Sequence, residues 1–272
     1  MKLNKPKAQL MMYILAALFF VAGFFAVIWP VRTWSVQIDR DMKEYEELKK
    51  ENEGPSQAEV SPMPPVQEEE RLLPAQEPLE PPHESSQMAV DWTACRKTNA
   101  DIAAWLTIPG TPIDYPVVKT DDPDYYLGHT FSGKESAVGT LFSLGDADYE
   151  TPGRNIAIYG HHMRAKDKMF TPLMQYKNPE FWEAHKTVYL DTPEHRRAYT
   201  IFAVINMSIG DWNPSKTDFP NDEAFANYIA RAKRCALYDT GVQPTDHIVT
   251  LITCDRSYGG EDGRLIVMAA EQ

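Results

Sequence analysis

Between Asp91 and the C-terminus the apolar residues of this chain never run long. They gather in eight short stretches: Ala104 to Ile108, Ile113 to Lys119, Val138 to Leu144, Asn155 to Tyr159, Thr187 to Asp191, Ala198 to Met207, and two at the end, within Asp246 to Cys254 and Arg264 to Ala270. Turn signals such as Pro109-Gly110, Asp122-Pro123 and Thr151-Pro152-Gly153 separate them, and short β-branched runs punctuated in this way read as strands. Closely spaced strands in this number predict a β-barrel or sandwich. Short helical turns are expected at Val90 to Thr98 and Asp101 to Trp105, and a longer helical segment at Met169 to His185. Another is expected at Asp222 to Ala236, where Phe225, Tyr228, Ile229, Ala232 and Cys235 follow one helical face. The class is mostly β with peripheral helices, without an internal repeat.

A chain of 272 residues has room for one such domain plus appendages. Leu10 to Pro30 holds twenty apolar or small residues ahead of its proline, enough to cross a bilayer as a helix. The charged side chains before it are Lys2, Lys5 and Lys7, so residues 1–9 are expected in the cytoplasm and the rest of the chain outside. A cleaved secretory signal is the competing reading, but Ile28-Trp29-Pro30 lacks the small residues of a cleavage site. Across residues 31–50, Ile38, Met42, Tyr45 and Leu48 recur at helical spacing, so a juxtamembrane helix is expected to continue into solvent and stop before Gly54-Pro55.

From 51 to 90 nine glutamates face a single basic residue, Arg71, and the segment carries −8 of the chain's −12 net charge. Its eight prolines and few branched apolar residues predict a disordered, extended spacer between the membrane and a folded domain of residues 91–272. The remainder is close to charge balance and has no basic stripe, which argues against nucleic acid as a partner.

The last two stretches flank a nine-residue segment, Asp255 to Gly263, with three glycines and four charges. If the strands pair as a hairpin, Cys254 at the end of one and Arg264 at the start of the other meet at one sheet edge. The reactive form of cysteine is the thiolate, and cations such as Arg256 or Arg264 beside a part-exposed sulfur favour it. Asp255 and Arg256 read either as charges that tune the cysteine or as solvated loop residues. Cys95 and Cys235 lie in expected helices among apolar neighbours and read as small buried side chains. A disulfide between them requires close Cα atoms, which the sequence leaves open.

A cysteine nucleophile needs a proton-transfer partner. His83 falls in the spacer, and His129, His185, His195 and His247 fall near turns or element ends, where solvated or structural roles are the plain reading. At Asn155 to Met163 a short strand runs into Gly160, and His161 and His162 emerge at its end. No second cluster of cysteine and histidine with metal spacing accompanies Cys254, so neither a metal nor a cofactor is expected.

These residues resemble those of the sortases, and in particular of class B sortases of the Gram-positive cell envelope. Thr250-Leu251-Ile252-Thr253-Cys254 matches the family's TLxTC pattern, with Arg264 ten residues on, and Tyr159-Gly160-His161-His162-Met163 matches its strand-end histidine. Class B is suggested by Ile113 to Val118, Asp124 to Leu127, Gly139 to Phe142, and an extra helix opened by Thr217-Asp218-Phe219 before the catalytic strand. The match spans roughly Asp91 to Ala270.

The resemblance implies an eight-stranded β-barrel with peripheral helices, and a membrane-anchored cysteine transpeptidase with an extracellular catalytic domain. Cys254 would attack a backbone carbonyl in the C-terminal sorting signal of a secreted protein, and an amine of a peptidoglycan precursor, or another amine acceptor, would resolve the thioacyl-enzyme. His161, which directly follows the glycine as the family's histidine does, would act as general acid and then base. Arg264 would stabilise the oxyanion or hold the substrate backbone. The middle of TLxTC is often a small hydroxyl residue in class B. Ile252, if it faces the peptide groove, implies a sorting motif other than the asparagine-proline-x-threonine type. Ser208 to Phe219 is the expected groove wall.

Other functions use the same residues. An extracellular cysteine peptidase or peptidoglycan hydrolase would give the acyl group to water, and a pilin-polymerising sortase would join pilins instead of anchoring proteins to the wall. A non-catalytic, membrane-tethered scaffold would have no need of the cysteine, histidine and arginine together.

Overall fold

The computed structural model describes residues 34–52, 90–150, 153–163, 167–244 and 246–272. Each of the eight apolar stretches supplies one strand: β1 (Ile102–Thr107), β2 (Asp114–Thr120), β3 (Leu141–Leu144), β4 (Asn155–Tyr159), β5 (Thr187–Asp191), β6 (Arg196–Ser208), β7 (Ile248–Cys254) and β8 (Gly263–Glu271). They close into a barrel in the order β1-β2-β3-β4-β7-β8-β6-β5. Neighbours are antiparallel except β2 with β3 and β4 with β7. The chain between β4 and β7 holds β5, β6 and two helices, α3 (Pro179–Ala184) and α4 (Asp222–Cys235). A parallel pair needs a connection of that kind.

β7 is buried on both faces. Val249 and Leu251 pack in the main core with Trp105, Val117, Leu141 and Ile158, whereas Ile248 and Ile252 pack in a second cluster against α4. That double burial is why the apolar residues of β7 come in adjacent pairs, Ile248-Val249 and Leu251-Ile252, rather than alternating with exposed polar ones. α4 lays Phe225, Tyr228, Ile229 and Ala232 on this cluster. The Asn221 side chain caps the helix, accepting from the Ala224 amide at 2.8 Å, and Lys233 and Arg234 sit in its last turn, where the helix dipole favours cations.

Three helical expectations change. Asp101 to Trp105, expected as a turn of helix, is mostly strand, because pairing with β2 on one side and β5 on the other overrides a weak local preference. Met169 to His185 breaks into a 3-10 segment, Thr171–Lys177, and α3, whose N-cap Asn178 accepts from the Glu180 amide at 3.0 Å and whose first residue is a proline. Cys235 is exposed at the end of α4, beyond the surface the helix buries, while Cys95 is buried in α2 (Trp92–Thr98); all three cysteines are free.

The largest difference concerns α1, the helix of residues 34–52. It does not run out into solvent. Its stripe of Ile38, Met42, Tyr45 and Leu48 is buried in the main core, with Tyr45 edge-on to Tyr115 at 5.6 Å. Fully burying an apolar side chain of this size contributes about 1.5–3 kcal/mol, so the stripe favours the barrel over water. Glu44 adds polar ties, accepting from the Ser132 amide at 2.7 Å and the Ser132 hydroxyl at 2.8 Å. At the helix end Asn52 Oδ1 accepts from the Asp91 amide at 2.7 Å, so residues 52 and 91 are neighbours. The expected membrane span at 10–30 and nearly all of the expected spacer at 51–90 lie outside the described residues. Among the described residues no helix is long and apolar enough to cross a membrane.

Replacing the α4 cap, Asn221→Ala, is expected to lower the unfolding free energy by about 1 kcal/mol, read by equilibrium chemical denaturation.

Candidate active site

The topology brings three strand ends to one rim of the barrel. β4 and β7 run parallel with Tyr159 opposite Ile252, and the Gly160 amide donates to the Ile252 carbonyl at 3.1 Å. His161 and His162 therefore emerge beside Thr253 and Cys254. β7 and β8 are antiparallel and end on the pair Cys254 and Arg264. The Thr253 hydroxyl donates to the Gly160 carbonyl at 2.7 Å and fastens the two strand ends together.

Side chains alternate along a strand. Tyr159 and Ile252 both face the α4 side, and two residues further His161 and Cys254 continue that alternation. His162 falls on the other one, and its Nδ1 donates to the backbone carbonyl of Cys254 at 2.9 Å. His161 Nε2 donates to the Leu127 carbonyl at 2.8 Å. Gly160 is required where it stands: a Cβ there would lie 2.4 Å from Leu141 Cδ2 and 2.7 Å from the Phe170 ring. Cys254, His161, His162 and Arg264 are all half-buried. Arg264 Nη1 donates to the Glu261 and Gly263 carbonyls at 2.9 and 2.8 Å, which stiffens the loop between the cysteine and itself.

Asp255, next to the cysteine, is not a solvated loop charge. Its side chain is fully buried and pairs with Lys177 from the 3-10 segment, and it accepts from the Ser257 hydroxyl at 2.5 Å. Burial by itself would push this carboxyl up. The hydrogen bond and charge of Lys177, with the hydrogen bonds from Ser257, outweigh that and hold it below the ordinary carboxylate range. Arg256 remains at the surface, paired with Glu261 at 3.1 Å.

Beside Arg264 opens a groove of about 520 Å³ lined by Tyr159, Met207, Ile209, Trp212, Pro214 and Ile252, among others. Ile252 thus faces a groove at the site, and the wall comes from the segment of Ser208 to Phe219, as expected. Asn155 holds that wall: its Nδ2 donates to the Pro214 and Lys216 carbonyls at 3.1 and 3.0 Å, and its Oδ1 accepts from Thr250 at 2.7 Å. The Tyr228 hydroxyl donates to the same Pro214 carbonyl at 2.5 Å. Sequence reasoning passed over Asn155 and Lys177. The signal for Asn155 was a polar residue heading an otherwise apolar strand; Lys177 had none. Of the other histidines, His129 stacks on Tyr125 at 4.1 Å, and His185 and His247 contact the Pro109 and Gly153 carbonyls at 3.1 and 3.2 Å.

Lys177→Met leaves the Asp255 carboxylate buried without its cation. Since Lys177 is itself part-exposed, the expected loss is about 3 kcal/mol at neutral pH, near the lower end for a broken buried pair. The folded-state pKa of Asp255 lies below its unfolded value, so the pair's contribution is present above about pH 4 and is lost as pH falls further. Wild-type and variant stabilities should converge in acid, as denaturation curves over that range would record.

A family model described as "Sortase domain" matches residues 106–272. Sortase B of Listeria monocytogenes is 33% identical over 174 residues, which cover 63% of this chain and 70% of the relative. The X-ray structure of Clostridium perfringens sortase B superimposes with a TM-score of 0.62 at 31% identity, covering 66% of this chain and 98% of that one. A Staphylococcus aureus sortase B–substrate complex gives a TM-score of 0.62 at 27% identity, covering 66% and 83%.

Proposed function

This chain belongs to the sortase family, in its class B, and as such is a cysteine transpeptidase of cell-wall protein anchoring; we propose that Cys254, His161 and Arg264 form its reaction centre. The observation that carries this reading is the shared rim, where β4 and β7 end side by side in parallel and β8 begins opposite the end of β7. Three strand ends supply a nucleophile, a proton carrier and a permanent cation without any loop having to fold over to deliver them.

Cys254 Sγ attacks the backbone carbonyl of a sorting signal lying in the groove. Arg264, rich in donors and always charged, stabilises the oxyanion that forms. As the C–N bond breaks, His161 gives its proton to the leaving amine, and the acyl group stays on sulfur as a thioester. An incoming cell-wall amine attacks that thioester, His161 takes up the proton it loses, and the C–S bond breaks to release the Cys254 thiolate, which restores the starting state. The groove is largely apolar around Ile252, Trp212 and Pro214, which suits a sorting signal carrying an apolar side chain at the position over Ile252.

Residues 10–30 anchor the protein in the membrane with the barrel outside. α1 starts shortly after that span and packs on the barrel, while Asn52 and Asp91 meet.

Cys254→Ala is expected to form no thioester with any sorting peptide, and His161→Ala to lose about 10³-fold in turnover, whereas His162→Ala only weakens it. Intact-mass and product analysis with and without an added amine checks each step; activity that survives Cys254→Ala sinks the reading, and dominance of hydrolysis with amine present points to a peptidase. Ile252→Ser should shift the preferred peptide at the facing position from apolar toward polar in a cleavage library.

A further inference from the structure

One side chain of α1 reaches the surroundings of His161. The buried Tyr45 hydroxyl donates to the Gly139 carbonyl at 2.7 Å, accepts from the Phe131 amide at 3.1 Å, and lies 2.9 Å from Thr140 Oγ1. Gly139 in turn forms the wall behind His161. Its φ is +66°, and a Cβ added to it would stand 2.9 Å from His161 Cδ2, 2.7 Å from the Tyr126 carbonyl and 3.1 Å from the Leu127 carbonyl. The Thr140 amide donates to the Tyr126 carbonyl at 2.9 Å, which ties the 139–140 backbone to the 126–127 backbone. The imidazole is thus bounded along one edge: Cδ2 by Gly139, and the adjoining Nε2 by the Leu127 carbonyl at 2.8 Å. Nδ1 lies on the edge turned away from this wall.

We propose that Tyr45 is a positioning residue for transpeptidation: from α1 it pins Gly139, and so holds the His161 ring with Nε2 donating to Leu127 and Nδ1 left to exchange the proton. The proposal rests on the reading of His161 as the proton carrier. A carbonyl oxygen only accepts, so Nε2 keeps its hydrogen in both the neutral and the charged imidazole. The proton given to the leaving amine then comes from Nδ1, and the proton taken from the incoming amine returns to Nδ1. Without the Tyr45 hydroxyl, nothing from α1 holds the Gly139 carbonyl, and the ring gains room to turn and exchange the roles of its nitrogens. The same helix that mounts the barrel after the expected membrane span would in this way set the orientation of the histidine.

Tyr45→Phe in the full-length chain removes the hydroxyl and leaves the ring edge-on to Tyr115. Its kcat for thioester formation is expected to fall about tenfold, as a small misplacement of a catalytic group does, with the KM for the sorting peptide within about twofold of wild type. In nitrogen-15 spectra of labelled histidine, the His161 signal should pass from a single Nε2–H form in wild type to a mixture of tautomers. Gly139→Ala, which presses on the ring directly, should show the same split between kcat and KM. Leu48→Ala loosens the α1 interface without removing a hydrogen bond, and should leave kcat near wild type. Wild-type kcat and tautomer signal in Tyr45→Phe overturn the proposal, as does an equal loss of rate in Leu48→Ala, which would make the effect one of helix docking alone. Turnover retained by His161→Ala removes the underlying reading of that histidine, and the role of Tyr45 falls with it.

Discussion

Parallel pairing of β4 with β7 is the constraint on which the rest of the structure depends. Parallel strands finish at the same rim, so Gly160-His161 and Thr253-Cys254 are side by side although 93 residues separate the histidine from the cysteine. Had these strands paired antiparallel, the histidine and the cysteine would stand at opposite ends of the barrel. The antiparallel return into β8 then brings Arg264 to the same place at almost no cost in chain length. A parallel pair demands a long connection, and this one carries β5, β6 and α4, which close the barrel and cover the outer face of β7.

A rim of strand ends is open to fraying, and the fold closes it with buried polar contacts. Thr253 to Gly160, His162 to the Cys254 carbonyl, and Lys177 to Asp255 each tie the cysteine's neighbourhood to another element. Asn155 does the same for the groove wall. Inside a protein such bonds stabilise little in net terms, but leaving one member unpaired is costly, so they favour one arrangement of the rim over others. α1 belongs to the same scheme, since its contacts reach residues 131–140 behind His161.

Much of this was legible in the chain. Eight apolar stretches became eight strands, and the face of Phe225, Tyr228, Ile229 and Ala232 is buried as its periodicity implied. The readings that changed share a cause. Cys235 continues the helical period but stands past the edge of the buried surface; Asp101 to Trp105 was claimed by strand partners on both sides. Asp255 looked like an ordinary loop charge because the lysine that pairs with it is 78 residues away. The stripe on α1 was visible as a stripe. What it would pack against was not, because an amphipathic helix is equally well read as a surface helix until a partner surface exists.

The sequence by itself determined which segments are strands, that a histidine, a cysteine and an arginine fall at strand ends, and where the turn residues allow the chain to reverse, because these follow from side-chain type and local period. Tertiary structure alone decided the direction in which β4 and β7 pair, the placement of Ile252 along a groove, the burial of Asp255, and the seating of Tyr45 behind Gly139. Each of those depends on residues far apart in the chain meeting at hydrogen-bond or van der Waals distance. No local pattern encodes such a meeting, because it is the closed barrel that selects it.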